Sequence, residues 1–255
     1  MIFNIEKLEL KEIKFEKGPS KRSNFSSVKY LKENGEPYLI IHGGINENGE
    51  LNDTYELNLN NFIWNEIEIQ GQIPSCSTEH SAEIYKEFMI VIGGEINDDL
   101  HDKIRILNLK MRTWKSFKPS VGFNQNLFMR IFHSSAIVDS KLFIYSGADT
   151  AYFCYNDMVE IDFKDFDFDK NSNIANIQVI SYDDFQYGNR ENNNLNSKHS
   201  IIDKNSRYPY PRWGANMLVK NSDCLILFGG RNKKDFNDLW LYSITMKKWF
   251  EVIFI

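Results

Sequence analysis

Five histidines, three cysteines and a set of recurrent arginines are the side chains of this 255-residue chain with the means for chemistry. His80 and His133 invite a metal reading. Aligning the segments around them by a recurrent arginine position puts Phe25, His80, His133 and Ala215 at one site. A position filled by Phe and Ala elsewhere is a packing position, so the two histidines read as structural. His42, His101 and His199 share no ligand spacing with them. Cys76, Cys154 and Cys224 are too few and too scattered for a disulfide scaffold or a Cys-rich zinc site, and they fit reduced thiols. A G-x-S-x-G nucleophile elbow is absent. FKDFDFDK (163–170) spaces its aspartates somewhat like a calcium loop but lacks the central Gly and terminal Glu, and its alternation reads as an exposed strand end. HGGINENG (42–49) lacks the following helix that a phosphate cradle needs. No catalytic residue, metal site or cofactor is expected, and the chain is not expected to be an enzyme.

Composition narrows the partners. Thirty Lys+Arg stand against 35 Asp+Glu, a formal charge of −5, with no basic block. Binding to a phosphate backbone needs clustered cations, so nucleic acid is not expected. The apolar runs, such as Met89 to Ile92 and Leu225 to Phe228, are far shorter than the roughly 20 residues of a membrane span. MIFNIEKLEL carries charges where a signal peptide needs its apolar stretch, which points to the cytoplasm.

The elements that must position these residues are visible as repeats. Apolar strands ending in small residues recur as LIIHGG (39–44), MIVIGG (89–94), LFIYSG (142–147) and LILFGG (225–230). Each is followed by a polar loop and then by an Asp-containing strand: NDTYELNL (52–59), HDKIRILNL (101–109), NDMVEIDF (156–163) and NDLWLYSI (237–244). Trp64, Trp114 and Trp249 open a further strand, and the third unit lacks its Trp. From Gly43 to Gly93 and from Trp64 to Trp114 the step is 50 residues. With a strand before each apolar run, every unit holds four short strands bounded by Gly, Pro or Asn. Four antiparallel strands at that pitch read as propeller blades.

These residues resemble the kelch family of β-propellers. The marks are Gly43, Gly44, Gly93, Gly94, Gly147, Gly229 and Gly230, the Asn-Asp-aromatic strand, Trp64, Trp114 and Trp249, and Pro/Arg before the inner strand. The resemblance covers nearly the whole chain as a single domain. It implies an all-β kelch propeller of four four-stranded antiparallel blades, about 23–69, 79–117, 132–182 and 213–253. The alternating stretch 8–15 makes a further, orphan strand without a partner in the chain. The ring is therefore expected to be an open arc of a larger propeller, continuing into further blades or another domain.

The step from Asp157 to Asp238 is 81, so an insertion joins the third blade to the fourth at 183–208. It reads either as a tolerated surface loop or as a flap. In an up-and-down blade, the second-to-third loops and the between-blade loops leave on one side. In the family, ligand peptides commonly meet these loops. Arg22, Arg130 and Arg212, just before the innermost strands, could line the central mouth as partner contacts. The favoured reading is structural, with each guanidinium's five fixed donors bonding carbonyls of a neighbouring blade. The resemblance implies a non-catalytic scaffold or adaptor for a protein or peptide partner. The alternatives are a propeller enzyme or carbohydrate-binding unit related to the copper radical oxidases, or a regulatory kelch domain of a larger enzyme such as a phosphatase. The oxidases need a Tyr–Cys crosslink with two His and another Tyr, and none of the three cysteines matches that setting.

Overall fold

Among the described residues, runs of β-branched and aromatic residues between Gly, Asn and Asp turns build four antiparallel meanders of four strands each. The computed structural model describes residues 2–4, 7–11, 15, 17–118, 127–168, 170, 176–181 and 208–253. Blade 1 pairs Ser26–Leu31, Pro37–His42, Thr54–Asn58 and Trp64–Glu66 in that order. Blade 2 uses Ser81–Tyr85, Phe88–Ile92, Ile104–Asn108 and Thr113–Phe117. Blade 3 uses Ser134–Val138, Lys141–Tyr145, Asp157–Asp162 and Ile177–Ser181. Blade 4 uses Asn216–Asn221, Cys224–Phe228, Leu239–Ser243 and Lys248–Val252. The architecture is the all-β, kelch-type β-propeller expected, with four four-stranded antiparallel blades among the described residues. No helix occurs among the described residues.

The innermost strands of blades 1 and 2, 2 and 3, and 3 and 4 pack side by side. They surround an axial channel of about 400 Å³ whose wall includes Lys29, Glu83, Ser135 and Leu218. The apolar core lies between blades, not within one. Val28, Tyr30, Tyr38 and Ile40 of blade 1 meet Met89, Val91 and Leu107 of blade 2. Ile90 and Ile92 meet Leu142, Ile144 and Val159. Phe143 and Tyr145 meet Leu225, Leu227, Trp240 and Trp249. The sheets of blades 2 and 3 thus turn one face to the preceding blade and the other to the following one, as their period-2 alternation allows, while blades 1 and 4 share one such face each.

Two expectations need amending. Glu9–Lys11, inside the stretch 8–15, pairs antiparallel with Ile2–Asn4, so this strand is half of a hairpin and has a partner within the chain. The alternation of FNIEKLEL runs through both arms, and Leu8 takes the left-handed conformation at the turn (φ 53°). FKDFDFDK is not an exposed strand end. Residues 163–168 form a turn that buries Phe163 and Phe168 between blades 2 and 3. Phe168 stacks on Phe88 with centroids 4.2 Å apart, and Phe166 meets Phe117 edge-on at 5.0 Å. These rings supply the aromatic volume of the missing third tryptophan, whose place opposite Ile161 is taken by Ile177. The insertion 183–208 lies outside the described residues except for Tyr208.

Candidate functional site

One side of the propeller is built from small hairpins. The second-to-third loops fold as Ile45–Asn46 with Gly49–Glu50, Glu95–Ile96 with Asp99–Leu100, and Arg231–Asn232 with Lys234–Asp235. In blade 3 a bridge from Ala148 to Cys154 does the same job. Each is tied to the segment entering its innermost strand by the bridges Ser23–Ile45, Thr78–Glu95, Ile131–Ala148 and Trp213–Arg231. Both kinds of loop therefore share one face, as the topology requires.

The three recurrent arginines hold this face together. Arg22 is bidentate to Asp53 at 2.5 and 2.8 Å and donates to the Gly43 carbonyl at 3.1 Å. Arg130 binds Asp157 at 2.8 and 2.9 Å and the Ser146 carbonyl at 2.8 Å. Arg212 binds Asp238 at 2.5 and 2.9 Å and the Gly229 carbonyl at 2.8 Å. Their side chains are 3%, 2% and 0% exposed. Each guanidinium also lies over an aromatic ring of its own blade: Tyr55, Tyr155 or Phe236. Burial works against the charge of Arg130, but Asp157 outweighs it and raises its pKa above the ordinary value. Burial pushes Asp238 up, and hydrogen bonds from Arg212 and Trp240 more than reverse that. The fork of each arginine is thus committed to its own blade, linking the end of the second strand to the start of the third, and not to carbonyls of a neighbouring blade as expected.

Between blades, amides of the repeated small-residue pair reach the next unit. Gly44 N donates to Ser77 O at 2.8 Å, Gly94 N to Arg130 O at 2.9 Å and Gly147 N to Arg212 O at 3.0 Å. The histidines belong to the same seams. His80 Nε2 meets Ser26 Oγ at 2.9 Å, and His133 Nε2 meets Ser81 Oγ at 2.7 Å, each reaching the preceding blade. Burial lowers His133 and His42 to about 3 and His101 to about 4, so all three are neutral at pH 7. Burial pushes the Cys154 thiol up to about 11, away from nucleophilic reactivity. Among the described residues no group of three or more His, Cys, Asp or Glu is placed to hold a metal ion. In the channel the Glu83 carboxyl accepts from Ser135 Oγ at 2.7 Å, and burial raises it to about 7.

Where blades 3 and 4 meet, the loops also present aromatic rings. Phe132, Tyr152 and Trp213 cluster where blades 3 and 4 meet, with Tyr152 and Phe132 each 5.5 Å from Trp213. Beside them Phe153 is 58% and Tyr152 52% exposed. Tyr210 is also exposed and stacks on Phe236 at 6.2 Å. Sequence reasoning passed over these residues. The signal was there in AYFCY (151–155) and YPYPRW (208–213), two aromatic runs in segments that the repeat pattern assigns to loops.

The repeat marks, the four meanders and the loop face converge with comparison to known proteins. The model of the KLHDC2/KLHL20/DRC7 Kelch-repeats domain matches residues 1–182. The chain belongs to the kelch-repeat family. It is similar to "Tip elongation aberrant protein 1" of Schizosaccharomyces pombe, 25% identical over 226 residues, covering 86% of this chain and 17% of that protein. It is also similar to human "Host cell factor 1", 26% identical over 156 residues, or 55% of this chain and 8% of that one. "Acyl-CoA-binding domain-containing protein 4" of Arabidopsis thaliana is 28% identical over 113 residues, 44% of this chain and 16% of that one. This kelch chain spans less than a fifth of the length of these relatives. No helix among its described residues is long and apolar enough to cross a membrane.

Proposed function

We propose that this kelch chain is an interaction scaffold or adaptor of the cytoplasm that presents its loop face to a protein or peptide. The observation that carries the reading is the exposed pair Tyr152 and Phe153, with Tyr152 packed against the half-buried rings of Phe132 and Trp213. Tyr, Trp and Phe are enriched where protein interfaces concentrate their energy, because a rigid ring buries much area at little entropic cost. Here the rings stand on hairpins held by buried Arg–Asp pairs, so the surface is preorganised and loses little freedom on binding. Arg22, Arg130 and Arg212 serve the partner by fixing those loops. The acidic composition, without a cationic patch, suits a protein partner better than nucleic acid.

The test is capture from extract of the source cells by the wild-type chain and by a Tyr152→Ala/Phe153→Ala variant. A Met246→Ala change, at an exposed residue between the third and fourth strands of blade 4, serves as control. Specific proteins retained by the wild type and the control but lost from the double variant support the reading. An identical set on all three removes the aromatic cluster as the binding surface.

A further inference from the structure

Blade 2, at its seam with blade 1, breaks the pattern of the Arg–Asp clamps. Blades 1, 3 and 4 each neutralise their arginine with an aspartate. Blade 2 has Ser77 at the arginine position, and Lys103 precedes its third strand where Asp53, Asp157 and Asp238 precede or open theirs. A guanidinium is nevertheless delivered to the same place by Arg105, from within the third strand. Its Nη2 donates to the Gly93 carbonyl at 2.9 Å, the acceptor equivalent to Gly43 O and Gly229 O, and to Ser77 Oγ at 2.9 Å.

That charge is not balanced by a carboxylate among the described residues. Arg105 is 3% exposed, pairs with no carboxylate among the described residues, and leaves Nε and Nη1 buried without a hydrogen-bond partner. Burial pulls its pKa down to about 10, so the group is still a cation at neutral pH. Its surroundings offer further unpartnered polar atoms. Trp114 stands on the same face of blade 2, since Leu107 pairs with Trp114 and Arg105 with Ser116. Its ring lies 4.8 Å from that of His42 across the seam. Trp114 Nε1 and His42 Nε2 are both buried and unpaired. In the tautomer whose Nδ1 accepts from Thr54 Oγ1 at 2.9 Å, Nε2 of His42 is a donor as well.

An unpaired buried cation is one of the costliest arrangements in a protein interior, and groups that can only donate are satisfied by something that only accepts. A water molecule would need acceptors for its own two protons, which guanidinium and indole N–H groups do not offer. We propose that the Arg105 guanidinium, beside Trp114 and His42, is a binding site for a small inorganic anion of halide size in the seam between blades 1 and 2. The anion stands in for the aspartate that closes the clamp in the sister blades. The burial of Arg105 restricts the site to a small ion, and the ion locks two blades together.

The experiment compares thermal unfolding of the whole chain in sodium chloride or bromide with sodium gluconate at equal ionic strength. It is repeated for Arg105→Met, and bromide is located by anomalous diffraction in wild-type crystals. The wild-type melting temperature rises saturably with halide over gluconate, by about 3–6 °C at tenfold the dissociation constant. Arg105→Met shows equal curves in the two salts, and a bromide peak lies within hydrogen-bond distance of the wild-type guanidinium. Coincident wild-type curves overturn the proposal, as does a halide response retained in Arg105→Met. If that variant does not fold, the crystal decides, and wild-type density without bromide at Arg105 overturns it.

Discussion

Blades 2 and 3 differ from blades 1 and 4 in burial, although all four are written in the same repeat. The second strand of blade 2, Phe88–Ile92, is buried at every residue, and Leu142–Tyr145 of blade 3 matches it. In blade 4 the equivalent strand alternates, with Leu225 and Leu227 buried and Phe228 49% exposed. Tyr145, at the same repeat position one blade earlier, is 1% exposed. Leu218 and Phe250, beside Phe228 on the same face of blade 4, are also open. Blade 1 is intermediate: its Trp64 face meets Phe15 edge-on at 6.2 Å and lies close against Gly18. A kelch blade is therefore half of two interfaces, and one set of marks yields a core or a surface according to its neighbours.

The largest expected effect comes from exchanging equivalent residues across that divide. Tyr145→Ala, which empties a packed seam and removes a hydrogen bond to Pro209 O, costs about 3–5 kcal/mol in chemical denaturation, while Phe228→Ala costs under about 1. Equal losses would mean that blade 4 is covered on both faces. Next come the glycines. Gly93 (φ 59°) and Gly229 (φ 70°) are both left-handed, but a Cβ on Gly93 would collide with the Arg130 carbonyl of the next blade. At Gly229 the nearest atom would be 3.6 Å away. Gly229→Ala should cost only the backbone strain, about 1–2 kcal/mol, and Gly93→Ala clearly more. Melting temperatures that fall equally would sever the link between the double glycine and the neighbouring blade.

The effect that depends on pH is the most diagnostic of the axis. Glu83 has a pKa of about 7 in the fold against 4.5 ordinarily, so it is neutral in the folded chain while already ionised in the unfolded one between those values. Stability from this group is complete below pH 4.5 and is lost as pH rises through 7. Glu83→Gln should therefore stabilise by about 1–3 kcal/mol at pH 8 and by little at pH 4.5. A gain that does not change with pH would place the carboxyl in water.

Much of the fold was legible because its signals are local. A 50-residue pitch, paired small residues and alternating apolar runs locate the strands and the shared loop face in the sequence itself. What stayed hidden depends on packing between units. Phe163 and Phe168 looked like an alternating edge, and only the blade 2 core shows that they replace a tryptophan. Tyr152 and Trp213 are brought together by blades lying side by side. The recurrence of Arg22, Arg130 and Arg212 was plain, but the partners that bury them, Asp53, Asp157 and Asp238, lie across each blade's second strand. Ser146 at a glycine position looked like a departure. It keeps the left-handed conformation (φ 54°), and its hydroxyl accepts from Arg212 N and donates to Tyr155 O.

Amide hydrogen exchange, read strand by strand on the purified chain, tests most directly whether neighbours decide each blade's stability. Phe88–Ile92 and Lys141–Tyr145 should be the slowest segments, with Asn216–Asn221 and Lys248–Val252 of blade 4 exchanging far faster. Protection in blade 4 equal to that of blades 2 and 3 would contradict the account.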